Sequence, residues 1–445
     1  MTNGSVKLVE RFLPDPYIFA VILTFVVIVA ALIVTNIPFI GIVEAWYGGF
    51  WSLLTFTMQM ALVLVTGTIL ATAPLFKKGL GYLAGIPKNK VSAILLVSVI
   101  SLAASYINWG FGLVIGAIFA KEVAKRVKGL DYALLVATAY AGFLIWHAGL
   151  SGSIPLALAT PGAALATQTG GVVTDPISTA LTIFSSTNLI IVIAIFVTLP
   201  FLMVLMHPKG DKVKSVDPAL LVEEPMPAPK PKKDMTPAEK LENSVILNYV
   251  IAALGFLYIV VYFAKGGTLN LNIVIFIFLF GAIALHGTPI KTVQAVNSAA
   301  KSVGGIILQF PFYAGIMGIM TAKNGANVSL ASAISNLFVN ISNETTFPLF
   351  SFLSAGFLNI FIPSGGGQWA VQGPIMMPAG LALGVDAAKT AMTIAWGDAW
   401  TNMIQPFWAL PVLGIAKLSA KNIMGYCLIV TLYSGIIIGL GFLLF

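Results

Sequence analysis

The sequence predicts an all-α polytopic membrane protein: two inverted-topology repeats with about nine transmembrane helices, two re-entrant hairpins and two discontinuous helices. Three observations predict it. Apolar residues make up 58% of the chain and charged residues 9%, at a mean hydropathy of +0.96, a balance that soluble cores do not reach. Two apolar segments are interrupted by polar, glycine-rich sequence, Ser105 to Gly112 and Ile360 to Gly367, a constant 255 positions apart. At that offset Gly110 meets Gly365, Gly112 meets Gly367, Gly129 meets Gly384, Asp131 meets Asp386, Gly142 meets Gly397 and His147 meets Asn402. Finally, one hydrophilic stretch, residues 207–243, and one unpaired apolar segment, residues 244–264, separate the halves. An extra crossing between repeats reverses the second relative to the first.

The first repeat covers residues 1–206. Lys7 and Arg11 place the N-terminus in the cytoplasm. Tyr17 to Val34 is too long for a signal-peptide core and is the first span. Trp46 to Ala73 returns. Lys77, Lys78, Lys88 and Lys90 mark the cytoplasmic side, as do Lys121, Lys125, Arg126 and Lys128 after the next apolar stretch. Val91 to Ile107 is just long enough to span. Phe111 to Ala120 is only ten residues, about 15 Å of helix against a hydrocarbon core of about 30 Å. With both flanks inside, residues 91–120 read as a re-entrant hairpin with its tip at Asn108-Trp109-Gly110. From Asp131 a helix over residues 131–160 crosses outward, broken from His147 to Pro155 by two glycines and a proline. No Lys or Arg occurs from Gly129 to Met206, which suits an external loop, Thr160 to Ser178, and an inward span from Leu181.

Residues 207–243, rich in Pro and Lys, read as a flexible cytoplasmic linker, and residues 244–264 as the connecting span. The second repeat covers residues 265–445. Leu271 to Leu285 runs inward, Lys291 and Lys301 lie inside, and Gly304 to Met320 runs outward. A hairpin over residues 348–383 turns at Pro363 to Trp369. A helix over residues 387–416 breaks from Thr401 to Pro406, and Met424 to Leu444 is the last span.

Unsatisfied backbone groups cost several kcal/mol in hydrocarbon, so four breaks at one depth imply a shared cavity. Helix N-termini facing it form an anion site, and unwound carbonyls suit a cation. The only arginines, Arg11 and Arg126, lie outside the spans, so an anion must be held by N–H groups and neutral side chains. Candidates for binding substrate are Asn108, Gly110, Ser364, Gly365, Gly366, Gly367, Gln368, Thr401, Asn402 and Gln405; the competing reading makes these polar residues caps of broken helices. Trp109 and Trp369 would wall a short acyl chain or simply pack the scaffold. Asp398 and His147 are ionisable groups inside the membrane, costly there and so candidates for cation coupling, with His147 also able to donate to a carboxylate. Asp131 and Asp386 follow glycines and read as N-caps. Cys427 is alone in an apolar run, which excludes a disulfide framework. The net charge of +8 resides in short loops and speaks for membrane orientation, not nucleic acid. With no metal-ligand cluster and no nucleophile paired to a base in the sequence, an enzyme is not expected and no cofactor is implied.

Four segments resemble those of the AtoE-type short-chain fatty acid transporter family: Asn108 to Gly112, His147 to Ser153, Ile362 to Trp369, and Gly397 to Asn402. More distantly the chain is similar to the ion-transporter superfamily of elevator-type carriers. The resemblance implies a homodimer in a bacterial inner membrane that takes up small monocarboxylates such as butyrate or acetoacetate by symport, with H+ or Na+ as the coupling ion. The Ser-Asn-Thr hairpin tips of Na+-coupled dicarboxylate carriers are absent here, which favours the proton. The alternatives are a di- or tricarboxylate or other organic anion carrier, and an anion channel.

Overall fold

The computed structural model describes residues 16–52, 54–160, 163–216, 231–267, 271–301 and 303–445. Among them every regular element is helical. Lys7, Arg11 and the middle of the linker lie outside the described residues.

The chain opens on α1 (Pro16–Thr35), whose 20 residues cover about 30 Å. The expected span from Trp46 to Ala73 is instead two helices, α2 (Phe39–Phe50) and α3 (Leu54–Thr72), separated after the helix-weakening pair Gly48-Gly49. Pro74 then starts α4 (Pro74–Ala84), bent 71° from the helix before it. The first hairpin is α5 (Lys90–Ile107) and α6 (Trp109–Ala124). Its second arm has 16 residues, not ten, because Lys121 and Glu122 end the apolar run without ending the helix, and Glu122 pairs with Lys125 one turn on. Next come α7 (Tyr132–Ala141), a 3-10 segment from Gly142 to Ala148, and α8 (Ser153–Ala159). The helix therefore unwinds earlier than its glycine-proline cluster implied. The expected external loop contains α9 (Ala163–Gln168), and α10 (Ser186–Leu205) closes the half.

The short α11 (Pro237–Glu242) precedes α12 (Val245–Ala264). The second half holds α13 (Leu271–His286), α14 (Pro289–Ala300), α15 (Gly304–Thr321), α16 (Leu330–Asn340), α17 (Phe347–Asn359), α18 (Gly365–Ala382), α19 (Ala387–Asn402), α20 (Pro406–Ala416) and α21 (Ala420–Leu444). Shifted by 255 positions, α1, α3, α4, α5, α6, α7 and α8 overlap α13, α15, α16, α17, α18, α19 and α20. The sequence reading overlooked α4, α14 and α16, whose mixed polar residues hide them from a search for apolar runs. Among the described residues seven helices are long and apolar enough to cross a membrane, counting residues 132–159 as one, and eight if the bent pair is a single span. About nine were expected; α13 and α17 fall among the shorter apolar helices.

The helices form two packed groups. In one, α15 lies on α1 and α2, while α3 lies on the equivalent α13 and α14, around a small core of Ile69, Leu70, Val274 and Phe278. In the other, α5 to α8 pack with α17 to α21 and α10. The groups meet where α6 crosses α3 and α20 crosses α15. Cys427 is packed in the second group.

Where a flexible linker was expected, residues 207–216 begin strapped to the second group. The Lys214 N–H donates to Asp131 Oδ2 at 2.9 Å, Tyr132 N–H to Lys214 O at 2.9 Å, and Asp131 N–H to His207 Nε2 at 3.2 Å. Asp131 also caps α7 through Leu134 N–H, as expected. Because Nε2 accepts, His207 is held neutral, with Nδ1 bonded to Pro208 O at 2.7 Å. Burial lowers its pKa from the usual 6.5, the nearby Lys90 charge acting in the same direction. The unfolded chain therefore binds this proton more readily than the folded one, so the strap is fully held above about pH 6.5 and is lost as pH falls through and below it. Hydrogen exchange at the Asp131 and Lys214 amides, corrected for intrinsic rates, should be faster at pH 5 than at pH 8. Equal protection at both would contradict this role for His207.

Candidate functional site

The two broken helices meet at His147 and Asp398. Gly142 and Gly397, 255 positions apart, make the approach possible: a Cβ on Gly142 would lie 2.5 Å from Ser101 Cβ, and one on Gly397 2.5 Å from Ala355 Cβ. Each glycine lets a broken helix press its backbone onto the first arm of its own hairpin. His147 Nδ1 then lies 2.8 Å from Asp398 Oδ2, with both side chains fully buried. His147 Nε2 accepts the Ile154 N–H at 3.1 Å. On that network the ring is neutral and its one proton sits on Nδ1, donated to the carboxylate. His147 thus bonds a carboxylate and a backbone N–H, not a neighbouring carbonyl. Asp398 Oδ1 has no hydrogen-bond partner among the described residues.

Beside this pair lies a cluster of amides organised by Asn359, the last residue of α17. Its Nδ2 donates to Asp398 O at 2.8 Å, Thr401 Oγ1 at 2.9 Å and Asn402 Oδ1 at 2.7 Å, and its backbone carbonyl accepts from Gln405 Nε2. Thr401 Oγ1 donates in turn to Gly356 O at 2.8 Å. Thr401 and Asn402 sit in the last turn of α19, so the break proper is Met403 to Gln405. Gln368 Nε2 reaches Ala355 O at 2.8 Å and Gln372 Oε1 at 3.0 Å. These bonds satisfy only half of each amide. Asn359 Oδ1, Gln368 Oε1, Gln405 Oε1 and Asn402 Nδ2 are buried without partners among the described residues. Each such atom costs roughly 1–3 kcal/mol unless a ligand, ion or water meets it, so the cluster offers unspent donors and acceptors to a polar ligand.

The hairpin tips differ. In the first, Asn108 Oδ1 accepts from Gly110 N–H at 3.0 Å and Phe111 N–H at 3.1 Å, and Trp109 N–H donates to Ser151 Oγ at 2.9 Å. The Gly110 N–H proposed for substrate is thus already used, and Asn108, Trp109 and Gly110 are all buried. In the second, Ser364 Oγ accepts from Gly367 N–H at 3.2 Å. Gly365 and Gly366 are the first two residues of α18, whose N–H groups have no intrahelical acceptor. Gly366 is exposed, and a Cβ there would touch nothing within 4 Å; a Cβ on Gly365 would lie 2.7 Å from His147 Cε1. The positive end of α18 therefore abuts the His147–Asp398 pair from an accessible side.

The tryptophans also divide. Trp109 packs edge-on to Trp146 at 6.1 Å and Trp408 at 5.5 Å, and Trp146 stacks on His147 at 4.1 Å. Trp369 turns away, its Nε1 donating to Gln168 Oε1 at 3.2 Å, so it ties α9 to α18. Sequence reasoning missed Trp146, Asn359 and Gln372. Trp146 adjoins a chosen residue, whereas Asn359 carries no local signal beyond ending an apolar run.

A model of the family described as short chain fatty acid transporter matches residues 1–445. A Haemophilus influenzae protein named for short-chain fatty acid transport is 46% identical over 444 residues, spanning 98% of this chain and 97% of that protein. An Escherichia coli K12 protein with the same name is 46% identical over 440 residues, spanning 99% and 98%. Among solved structures, the Alcanivorax borkumensis YdaH transporter aligns with 17% identity and a TM-score of 0.42 over 96% of this chain and 97% of its own. The chain belongs to the short-chain fatty acid transporter family, and is a transporter rather than an enzyme.

Proposed function

We propose that this protein is a bacterial inner-membrane symporter that takes up short-chain monocarboxylates, such as butyrate, together with a proton. The observation that carries the proposal is the buried His147–Asp398 pair with its unpartnered Oδ1, abutted by the open N-terminus of α18. A substrate carboxylate held at the Gly365 and Gly366 N–H groups lies next to Asp398. Two unit charges about 5 Å apart at an effective dielectric of about 20 repel by about 3 kcal/mol, more than a hundredfold in affinity. A proton on Oδ1 removes that repulsion, so anion and proton bind together. His147 cannot take the proton on Nε2 without giving up the Ile154 N–H, which leaves Oδ1 as the landing site. Ser364, Gln368, Thr401, Asn402 and Gln405 would orient the carboxylate and Trp109 would wall the acyl chain.

The division into two helix groups supports an elevator motion, in which the group carrying both breaks, built on re-entrant hairpins, moves against a fixed α1–α4 and α13–α15 scaffold in a homodimer. Labelled butyrate uptake into proteoliposomes, with proton and Na+ gradients imposed separately, tests the proposal. Accumulation driven by the proton gradient alone supports it. Accumulation driven by Na+ alone would move the coupling role to that ion, and accumulation under neither would end the symport reading.

A further inference from the structure

Two buried amides near the site, Asn188 and Gln372, have both side-chain polar atoms bonded, and of these Asn188 bridges the two broken helices. Asn188, in the first turn of α10, is 1% exposed, and every polar atom of its side chain is used. Its Nδ2 donates to Ala148 O at 3.0 Å and Ile183 O at 2.7 Å, and its Oδ1 accepts from Trp396 Nε1 at 2.8 Å. Ala148 follows His147 in the 3-10 segment of the first break, and Trp396 lies two residues before Asp398 on α19. Asn188 thus holds the backbone at Ala148 and the indole of Trp396, one on each of the segments that carry the His147–Asp398 pair, from a third helix that contributes nothing to the pair itself.

Satisfaction separates the two kinds of amide here. Asn359, Gln368, Asn402 and Gln405 each keep an unpartnered buried atom that a ligand would complete. Asn188 keeps none, so a ligand adds nothing to it, and a fully bonded buried network fixes geometry. The unwound 3-10 segment needs such a brace, because its short-range bonds are poorer than those of an α-helix.

We infer that Asn188 is a positioning residue for coupling: through Ala148 and Trp396 it sets the separation of His147 Nδ1 from Asp398 Oδ2, and hence the pH at which the pair accepts its proton. The inference rests on the proton-symport reading above. The titratable groups at this point are His147, Asp398 and the buried Tyr140, which bonds Asn402 O, and among the described residues the side-chain partner of Asp398 is His147. If the brace is removed, the pair loosens and the carboxylate loses part of its hydrogen bond from Nδ1–H. The charged form is then less stabilised and protonates at higher pH.

The test compares Asn188→Leu, which deletes all three bonds at similar volume, with Trp396→Phe, which deletes only the indole donor. Butyrate uptake into proteoliposomes is followed across pH alongside butyrate–butyrate exchange. Asn188→Leu should raise the half-maximal pH of proton-driven uptake by about half a unit or more, a severalfold change in proton affinity, with exchange retained. Trp396→Phe should move it the same way by less. A purely structural asparagine would lower the yield of folded protein and leave the pH profile in place; that result overturns the inference. Should Asn188→Leu not fold, an unmoved profile in Trp396→Phe overturns it equally. A wild type whose uptake ignores the proton gradient would instead bring down the symport reading itself.

Discussion

Replacing Asp398 with Asn is expected to abolish accumulation of butyrate against a gradient while sparing exchange. With one proton per substrate, each pH unit across the membrane supports about tenfold accumulation, because a unit is worth about 1.4 kcal/mol. Asparagine keeps the shape of the side chain, and its Oδ1 still accepts from His147 Nδ1–H, so the 2.8 Å contact survives. Its amide occupies the position of the unpartnered Oδ1 with a permanently neutral group, a mimic of the protonated acid. Substrate then binds without a proton, and the tenfold ratio falls to about one. The measurement is the steady-state ratio of labelled butyrate at an imposed ΔpH, with counterflow as the control for binding. A folded Asp398→Asn protein that concentrates butyrate as the wild type does would remove Asp398 from the coupling role.

The second large effect is expected at Asn359, where leucine should lower both stability and transport. The Nδ2 of Asn359 serves Asp398 O, Thr401 Oγ1 and Asn402 Oδ1 from the facing helix. Interhelical hydrogen bonds within a membrane average only about 0.6 kcal/mol each, so their loss is the smaller part. Leaving buried acceptors short of a donor costs roughly 1–3 kcal/mol each, which dominates. Asn359→Leu should therefore lose about 2–5 kcal/mol against unfolding, with a lower Tm in detergent and little uptake even where protein is recovered. An unchanged Tm together with normal uptake would show that the hub is dispensable.

Much of this architecture is legible in the chain because a bilayer imposes one-dimensional rules. Apolar run length and the 255-residue offset mark segments at which the helices do break, at Asn108, from Gly142 to Gly152, from Ile360 to Ser364 and from Met403 to Gln405. The short amphipathic helices α4, α14 and α16 escaped because their burial depends on which neighbour covers one face, and no run length encodes that. The site was half legible. Asp398 and His147 stood out because a charge inside an apolar segment is expensive, yet nothing in the spacing of residues 251 positions apart says that they touch. The Gly110 N–H looked as available as that of Gly365, and only the capping by Asn108 Oδ1 distinguishes them.

By itself, then, the sequence determined that this is a membrane protein with apolar segments broken by polar sequence at a 255-residue offset, since composition and periodicity are set by the solvent each segment must meet; that it is a transporter follows from its family. Only the tertiary structure decided which polar atoms are spent on one another and which are left for a ligand. Hydrogen-bond satisfaction is a property of partners brought together from distant helices: Asn188 closes its network across 40 and 208 positions, while Asp398 is left one oxygen short.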